Sequence, residues 1–311
     1  MIELEEYDMR MEFTKMHGCG NDYVYVNCLD KELLNPNAIS EYVSHRRFGV
    51  GADGLICIHN SKVADFRMRM FNADGSEGKM CGNGIRCVAK YVYDKGLTTK
   101  TEITVETLGG IKTIEMILAK DGKVAEAIVD MGTPELRTSH IPMISDHGVF
   151  VDQSLNVYYD YSYKLNGTCL SMGNPHFVIF VDEVKKFDID NFDIKALGST
   201  IEHHRVFPER TNVEFVTIVD ENTVRFRVWE RGSGETWACG TGACAVAYSS
   251  IILKHAGKKG SFMNVIAKGG TLQVKVSPEN NHIFLKGPAT LVFDGIMDIP
   301  EEILSKSYDN V

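Results

Sequence analysis

Two cysteines of this chain sit in nearly the same local sequence: Cys81 opens Cys-Gly-Asn-Gly and Cys239 opens Cys-Gly-Thr-Gly. Small apolar residues follow each at helical spacing, Ile85, Val88, Ala89 and Val92 in one case, Ala243, Val246 and Ala247 in the other. Each cysteine is therefore expected at the mouth of a buried helix, where about half a positive charge and several unpaired N–H donors gather. That setting lowers a thiol pKa and binds carboxylates, and the glycines let backbone approach a ligand closely. A thiolate on one face of an acidic Cα and a thiol on the other could remove and redeliver a proton, which is general acid–base chemistry. Each N–H aimed at the charge growing on the carboxylate side is worth about 3–4 kcal/mol. One such motif reads equally as a packing cysteine that caps a helix. Packing has no need of the same device twice.

The elements that must position these cysteines are duplicated too. At an offset of 239 − 81 = 158, Arg67–Tyr91 falls without gaps on Arg225–Ser249, matching Arg69 with Arg227, Glu77 with Glu235, Gly82 with Gly240 and Gly84 with Gly242. Upstream, Gly20–Val26 echoes Gly173–Ile179 at an offset of 153. Before each cysteine lies a strand pattern, Phe66, Met68 and Met70 alternating with arginines, as do Val224, Phe226 and Val228. A glycine-containing turn follows in both halves. Further strands are expected at 101–106, 112–118, 126–131, 177–181, 212–219, 272–276 and 283–286, and helices at 37–45 and 194–204.

The 311 residues suit two domains. A net charge of −9 argues against nucleic-acid or anionic-membrane partners, which call for basic patches. No apolar run approaches the ~18 residues that span a bilayer, and the acidic start lacks a signal-peptide core, so a cytoplasmic, reduced protein is expected. Its eight cysteines are then no disulfide framework. The closest pairs, Cys81 with Cys87 and Cys239 with Cys244, lack zinc-knuckle spacing, and no metal is expected.

With these residues in hand, the chain resembles the diaminopimelate epimerase family from Met11 onward. The matching blocks are FTKMHGCGNDYVYVN, GADGLI, MFNADGSEGKMCGNG, SMGNPHFVIF, FPERTNVEFV and WERGSGETWACGTGACA, six in the family's order. The resemblance implies an α+β fold of two pseudo-symmetric domains, each a β-sheet or barrel wrapped round a central helix. Residues 1–10 would be an acidic extension, 11–127 the first domain completed by 288–311, and 128–287 the second. It implies interconversion of LL- and meso-diaminopimelate without pyridoxal phosphate or metal, in lysine and peptidoglycan-precursor biosynthesis, by a homodimer. The two bases fall on Cys81 and Cys239, and the backbone donors to the α-carboxylate on Gly82, Asn83, Gly240 and Thr241. The substrate-binding asparagines fall on Asn21, Asn72, Asn174 and Asn212, the Glu–Arg pair on Glu230 and Arg231, and a supporting histidine on His176. Read for their own chemistry, asparagines offer donors and acceptors to a zwitterion and Arg231 a fork for a distal carboxylate. Two departures from the family stand out, Cys19 in a loop and the bulky Trp237 beside the second motif.

The nearest rival is a two-cysteine racemase of proline, hydroxyproline or histidine, with the same chemistry and different distal recognition. A phenazine-biosynthesis-like isomerase would lack the cysteine pair. A binding protein with a dead site would not need the whole asparagine set. The lysine and phosphate cup of a pyridoxal-phosphate racemase have no counterpart here.

Overall fold

A computed structural model describes residues 10–158, 162–183 and 187–306. The expected acidic extension lies, but for Arg10, outside the described residues. The chain forms two compact units, one running to Ala127 and resuming at Pro288, the other Ile128–Gly287.

The first unit opens with β1 (Arg10–Gly18) and β2 (Asn21–Asn27), an antiparallel hairpin. Helix α1 (Pro36–Ser44) leads to β3 (Gly54–His59), parallel to β2, and β4 (Phe66–Asn72) turns back along β3. The short β5 (Glu77–Gly78) folds against β4 and delivers the chain to α2 (Gly82–Asp94). β6 (Glu102–Thr107) then runs parallel to β4, and β7 (Gly110–Leu118) pairs with β6. The chain leaves along β8 (Val124–Asp130).

The second unit repeats this plan. β9 (Gln153–Tyr158) and β10 (Ser162–Ser171) precede β11 (Pro175–Phe180), which is antiparallel to β10. Helix α3 (Ile194–Glu202) leads to β12 (Asn212–Asp220), parallel to β11, and β13 (Thr223–Glu230) turns back along β12. β14 (Gly234–Thr236) folds against β13 and delivers the chain to α4 (Gly240–Ile252). β15 (Phe262–Ala267) runs parallel to β13, followed by β16 (Gly270–Val276) and β17 (Ile283–Pro288). The chain then re-enters the first unit, where β18 (Thr290–Asp298) pairs with β1 ahead of a final turn, α5 (Glu301–Leu304).

The registers repeat as well: Met70 faces Gly78 across β4–β5, and Val228 faces Thr236 across β13–β14, each pair 158 apart from its counterpart. Central helices α2 and α4 are buried along nearly their whole length. For α4 the sequence Gly-Thr-Gly-Ala-Cys-Ala-Val-Ala carries no charge, as befits a helix enclosed on all sides. The apolar residues of β4 and β13 point inward while their arginines sit at the boundary, the period-two pattern of a half-buried sheet. No helix among the described residues is long and apolar enough to cross a membrane.

Candidate active site

Cys81 and Cys239 are the N-caps of α2 and α4, in extended conformation at φ −129° and −116°. Their sulfurs accept the Gly84 and Gly242 N–H groups at 3.3 and 3.4 Å. The first intrahelical donors come next, Ile85 N to Cys81 O and Ala243 N to Cys239 O. The N–H groups of Gly82, Asn83, Gly240 and Thr241 thus belong to the first helical turn, which lacks intrahelical acceptors by its geometry. A Cβ at Gly84 would meet the Ile56 side-chain tip at 2.6 Å, and one at Gly242 would meet the Glu214 carboxylate at 2.8 Å, so a side chain at either position would have to displace that neighbour. The matched Arg and Glu of the repeat also acquire a purpose. Arg69 binds Glu77 and Arg227 binds Glu235, both at 2.8 Å, and each pair clamps the hairpin that hands the chain to its cysteine.

At the α2 mouth, Asn21 Oδ1 accepts from Cys81 Sγ and from Asn83 Nδ2, both at 3.3 Å, while Asn21 Nδ2 donates to Asp53 at 2.8 Å. Asp53 shares Arg46 with Asp22, so Asn21 is anchored in a charged network. Arg86, fully buried, donates to Gly82 O at 3.0 Å and to Asn83 Oδ1 at 2.9 Å, placing a cation directly behind the mouth. Asn72 stands apart from this cluster, at the end of β4, where its side chain donates to Ser76 Oγ at 2.9 Å.

At the α4 mouth the surroundings are anionic. Glu230 hydrogen-bonds Cys239 and accepts from Thr236. His176 Nδ1 lies 2.6 Å from Glu214 Oε1, with both side chains fully buried, and His176 Nε2 lies 3.1 Å from Asn174 Oδ1. Burial, and then the charges of Glu230 and Glu214, push the Cys239 thiol well above its usual range. This overturns the expectation of a low thiol pKa at this helix mouth, because desolvation and two carboxylates outweigh the helix terminus. Burial likewise pushes the Glu230 carboxyl up. Asn212 is buried and internally engaged, its Nδ2 donating to Pro175 O at 2.7 Å and its Oδ1 accepting from Arg231 N at 2.9 Å. It therefore fixes the Glu230–Arg231 corner. Arg231 itself is exposed, and its guanidinium touches the Glu209 carbonyl at 3.1 Å.

Sequence reasoning missed Arg86 and Glu214. Glu214 had a visible signal, a lone carboxylate in the otherwise apolar run Val213–Val216. Cys19 is buried in the β1–β2 turn at φ 53°. Trp237 is exposed, with Lys268 over its ring, so its bulk crowds nothing. A groove of about 1010 Å³, lined by Phe13, Leu33, Leu34 and Asp294 among others, contains none of the expected site residues.

The contrast between the mouths gives an alkylation order. Cys81 alone of the eight cysteines is not buried. Iodoacetamide near neutral pH is expected to label Cys81 first, and peptide mapping checks this. Since the raised Cys239 pKa leaves little thiolate near neutrality, its labelling should grow as pH rises toward that pKa. Faster labelling of Cys239 at neutral pH would contradict the anionic reading of the α4 mouth.

Among solved structures the fold recurs in a probable proline racemase from Agrobacterium radiobacter, at a TM-score of 0.68 and 13% identity over 96% of both chains. A phenazine biosynthesis protein of the PhzF family from Bacillus anthracis matches at 0.66 and 17% identity, covering 93% of this chain and 99% of that one. A hydroxyproline epimerase from Agrobacterium vitis matches at 0.65 and 13% identity over 95% of both. Two repeated α+β domains with a cysteine capping each central helix define the class, an isomerase of the racemase and epimerase type. The family profile described as diaminopimelate epimerase matches residues 13–137 and 168–292. The chain is 50% identical to the diaminopimelate epimerase of Methanococcus maripaludis, over 93% of this chain and all of that one. It is 48% identical to that of Acetivibrio thermocellus, over 94% and all of the respective chains. The chain belongs to the diaminopimelate epimerase family.

Proposed function

We propose that this isomerase interconverts LL- and meso-diaminopimelate by having one of Cys81 and Cys239 remove the Cα proton while the other delivers its own proton to the opposite face. The observation that carries the reading is the duplicated cysteine cap, built twice by the same hairpin, ion pair and glycine. In one direction a thiolate takes the Cα proton, and the electron pair left on carbon spreads into the α-carboxylate. That carboxylate is held by N–H groups of the first turns, from Gly82, Asn83, Gly240 and Thr241. The opposite thiol then gives its proton to the other face. The chemistry balances with one thiolate and one thiol exchanged, and consumes nothing else.

In this reading Asn21 orients Cys81, and Glu230 and His176, the latter held by Glu214, shape the field at Cys239. Asn72 and Asn174 contact the zwitterion, and Asn212 sets the corner from which Arg231 reaches the distal carboxylate. We place the enzyme in the cytoplasm, in lysine and peptidoglycan-precursor biosynthesis, and as a homodimer. β18 exposes Leu291, Val292, Phe293 and Ile296, an apolar row of the kind a second copy would cover. Light scattering of Phe293→Lys would read a monomer if that row is the interface.

The deciding experiment is incubation with LL-diaminopimelate in deuterated water, followed by NMR. The expected result is meso product carrying deuterium at the inverted Cα. Turnover of proline or hydroxyproline in its place would move the protein to the rival racemase reading.

A further inference from the structure

Parallel pairing of β2 with β3 sets Val26 beside Cys57, and Cys28 N donates to Ile58 O at 2.8 Å just beyond the end of β2. Cys57 and His59, two residues apart on β3, share one face of the strand. The sulfurs of Cys28 and Cys57 and a ring nitrogen of His59 all lie within 4.8 Å of one another, and all three residues are buried. None of them takes part in the epimerisation described above.

His59 adds an independent observation. Its Nδ1 faces Glu32 Oε1 at 3.3 Å, and its Nε2, buried, has no hydrogen-bond partner among the described residues. A buried nitrogen left so is unfavourable and uncommon in a folded protein. An imidazole with Nδ1 on a carboxylate, Nε2 buried and unpaired, and two thiols within 4.8 Å of one of its ring nitrogens has the arrangement of a metal ligand whose tautomer is set by its carboxylate partner.

We propose that Cys28, Cys57 and His59 bind one zinc ion, with Glu32 orienting the imidazole through Nδ1 and a solvent ligand completing the tetrahedron. Zinc–sulfur and zinc–nitrogen bonds of about 2.3 and 2.0 Å set tetrahedral edges of roughly 3.3–3.8 Å, so the three donors need only a small contraction. Thiolate and imidazole donors select zinc over magnesium or calcium, which prefer oxygen. Two thiols lose their protons to solvent on binding, and the resulting pair of thiolates balances the dication. Burial favours the neutral, ligand-competent imidazole of His59. The thiols of Cys28 and Cys57 are hydrogen-bonded to each other, which draws the Cys28 thiol down and, with burial, pushes the Cys57 thiol up, so that Cys57 gives up its proton only as the metal binds. The site lies wholly within the first unit and does not depend on the assigned reaction.

The test is metal analysis of the intact, reduced protein after incubation with zinc and desalting. About one zinc per chain is expected, retained by the Cys81→Ala/Cys239→Ala variant and lost from Cys28→Ser/Cys57→Ser. Should the latter variant fold poorly, X-ray absorption of the zinc-loaded wild-type protein decides. Two sulfurs near about 2.3 Å with two lighter atoms near about 2.0 Å support the site. No retained zinc, zinc that disappears with Cys81 and Cys239, or a shell without two sulfurs overturns it.

Discussion

Cys81→Ala and Cys239→Ala should each lower turnover in both directions by about 10²–10⁴-fold, the usual worth of a positioned acid or base, while circular dichroism and melting stay near those of the wild type. Each side chain is small, and its removal takes away only a sulfur cap on an otherwise buried helix. The sharper expectation concerns isotope exchange. A variant with one surviving thiol can still remove a proton from the epimer whose Cα–H faces that thiol, and return deuterium to the same face. It can exchange but not invert. Cys87→Ala and Cys244→Ala, at two fully buried positions, should keep their activity. A Cys81→Ala or Cys239→Ala protein that still inverts at near-wild-type rate would end the two-base reading.

Arg231→Ala should act on binding and leave the fold alone. The Arg231 guanidinium is exposed and has no carboxylate partner among the described residues, whereas its backbone N–H is tied to Asn212. Losing the fork for a distal carboxylate costs about 2–5 kcal/mol of binding, a rise in KM of roughly 30-fold or more. Stability should move by no more than about 0.5 kcal/mol, as for an ordinary surface change. Steady-state kinetics beside thermal melting separates the two. An unchanged KM for diaminopimelate would remove Arg231 from the substrate's distal end.

Much of this was legible beforehand because both halves say the same thing. Strand alternation around Arg69 and Arg227, glycine after cysteine and the apolar helix that follows are local signals, and each checks its twin. What stayed hidden depends on contacts that no local pattern carries. Glu214 occupies the position of Ile56 in the first half, and its purpose appears only when the parallel pairing of β11 with β12 sets His176 beside Asn212 and brings the carboxylate under Gly242. Arg86 looked like an ordinary helical arginine until its guanidinium was found wrapped by carbonyl groups. The Cys28, Cys57 and His59 cluster escapes any spacing rule, because strand pairing brings together residues about thirty positions apart in the chain. The lowered pKa expected at Cys239 failed for a related reason: a helix terminus is visible in sequence, and the closeness of Glu230 and Glu214 to that sulfur is not.

The unlike settings of the two helix mouths bear on direction. In the proposed mechanism, the buried cation behind Cys81 and the two carboxylates near Cys239 would bias the transferable proton of the resting enzyme toward Cys239. In that mechanism a turnover gives the Cys239 proton to the substrate and leaves the substrate's former proton on Cys81, the form suited to the opposite epimer. The two forms are then unequally populated before any substrate arrives, and the epimer that needs the rarer one pays through a higher apparent KM. The Haldane relation forbids this bias from shifting the equilibrium between LL and meso. It shows instead as different saturation curves for the forward and reverse reactions, a difference that pH leaves in place because the two forms hold the same number of protons.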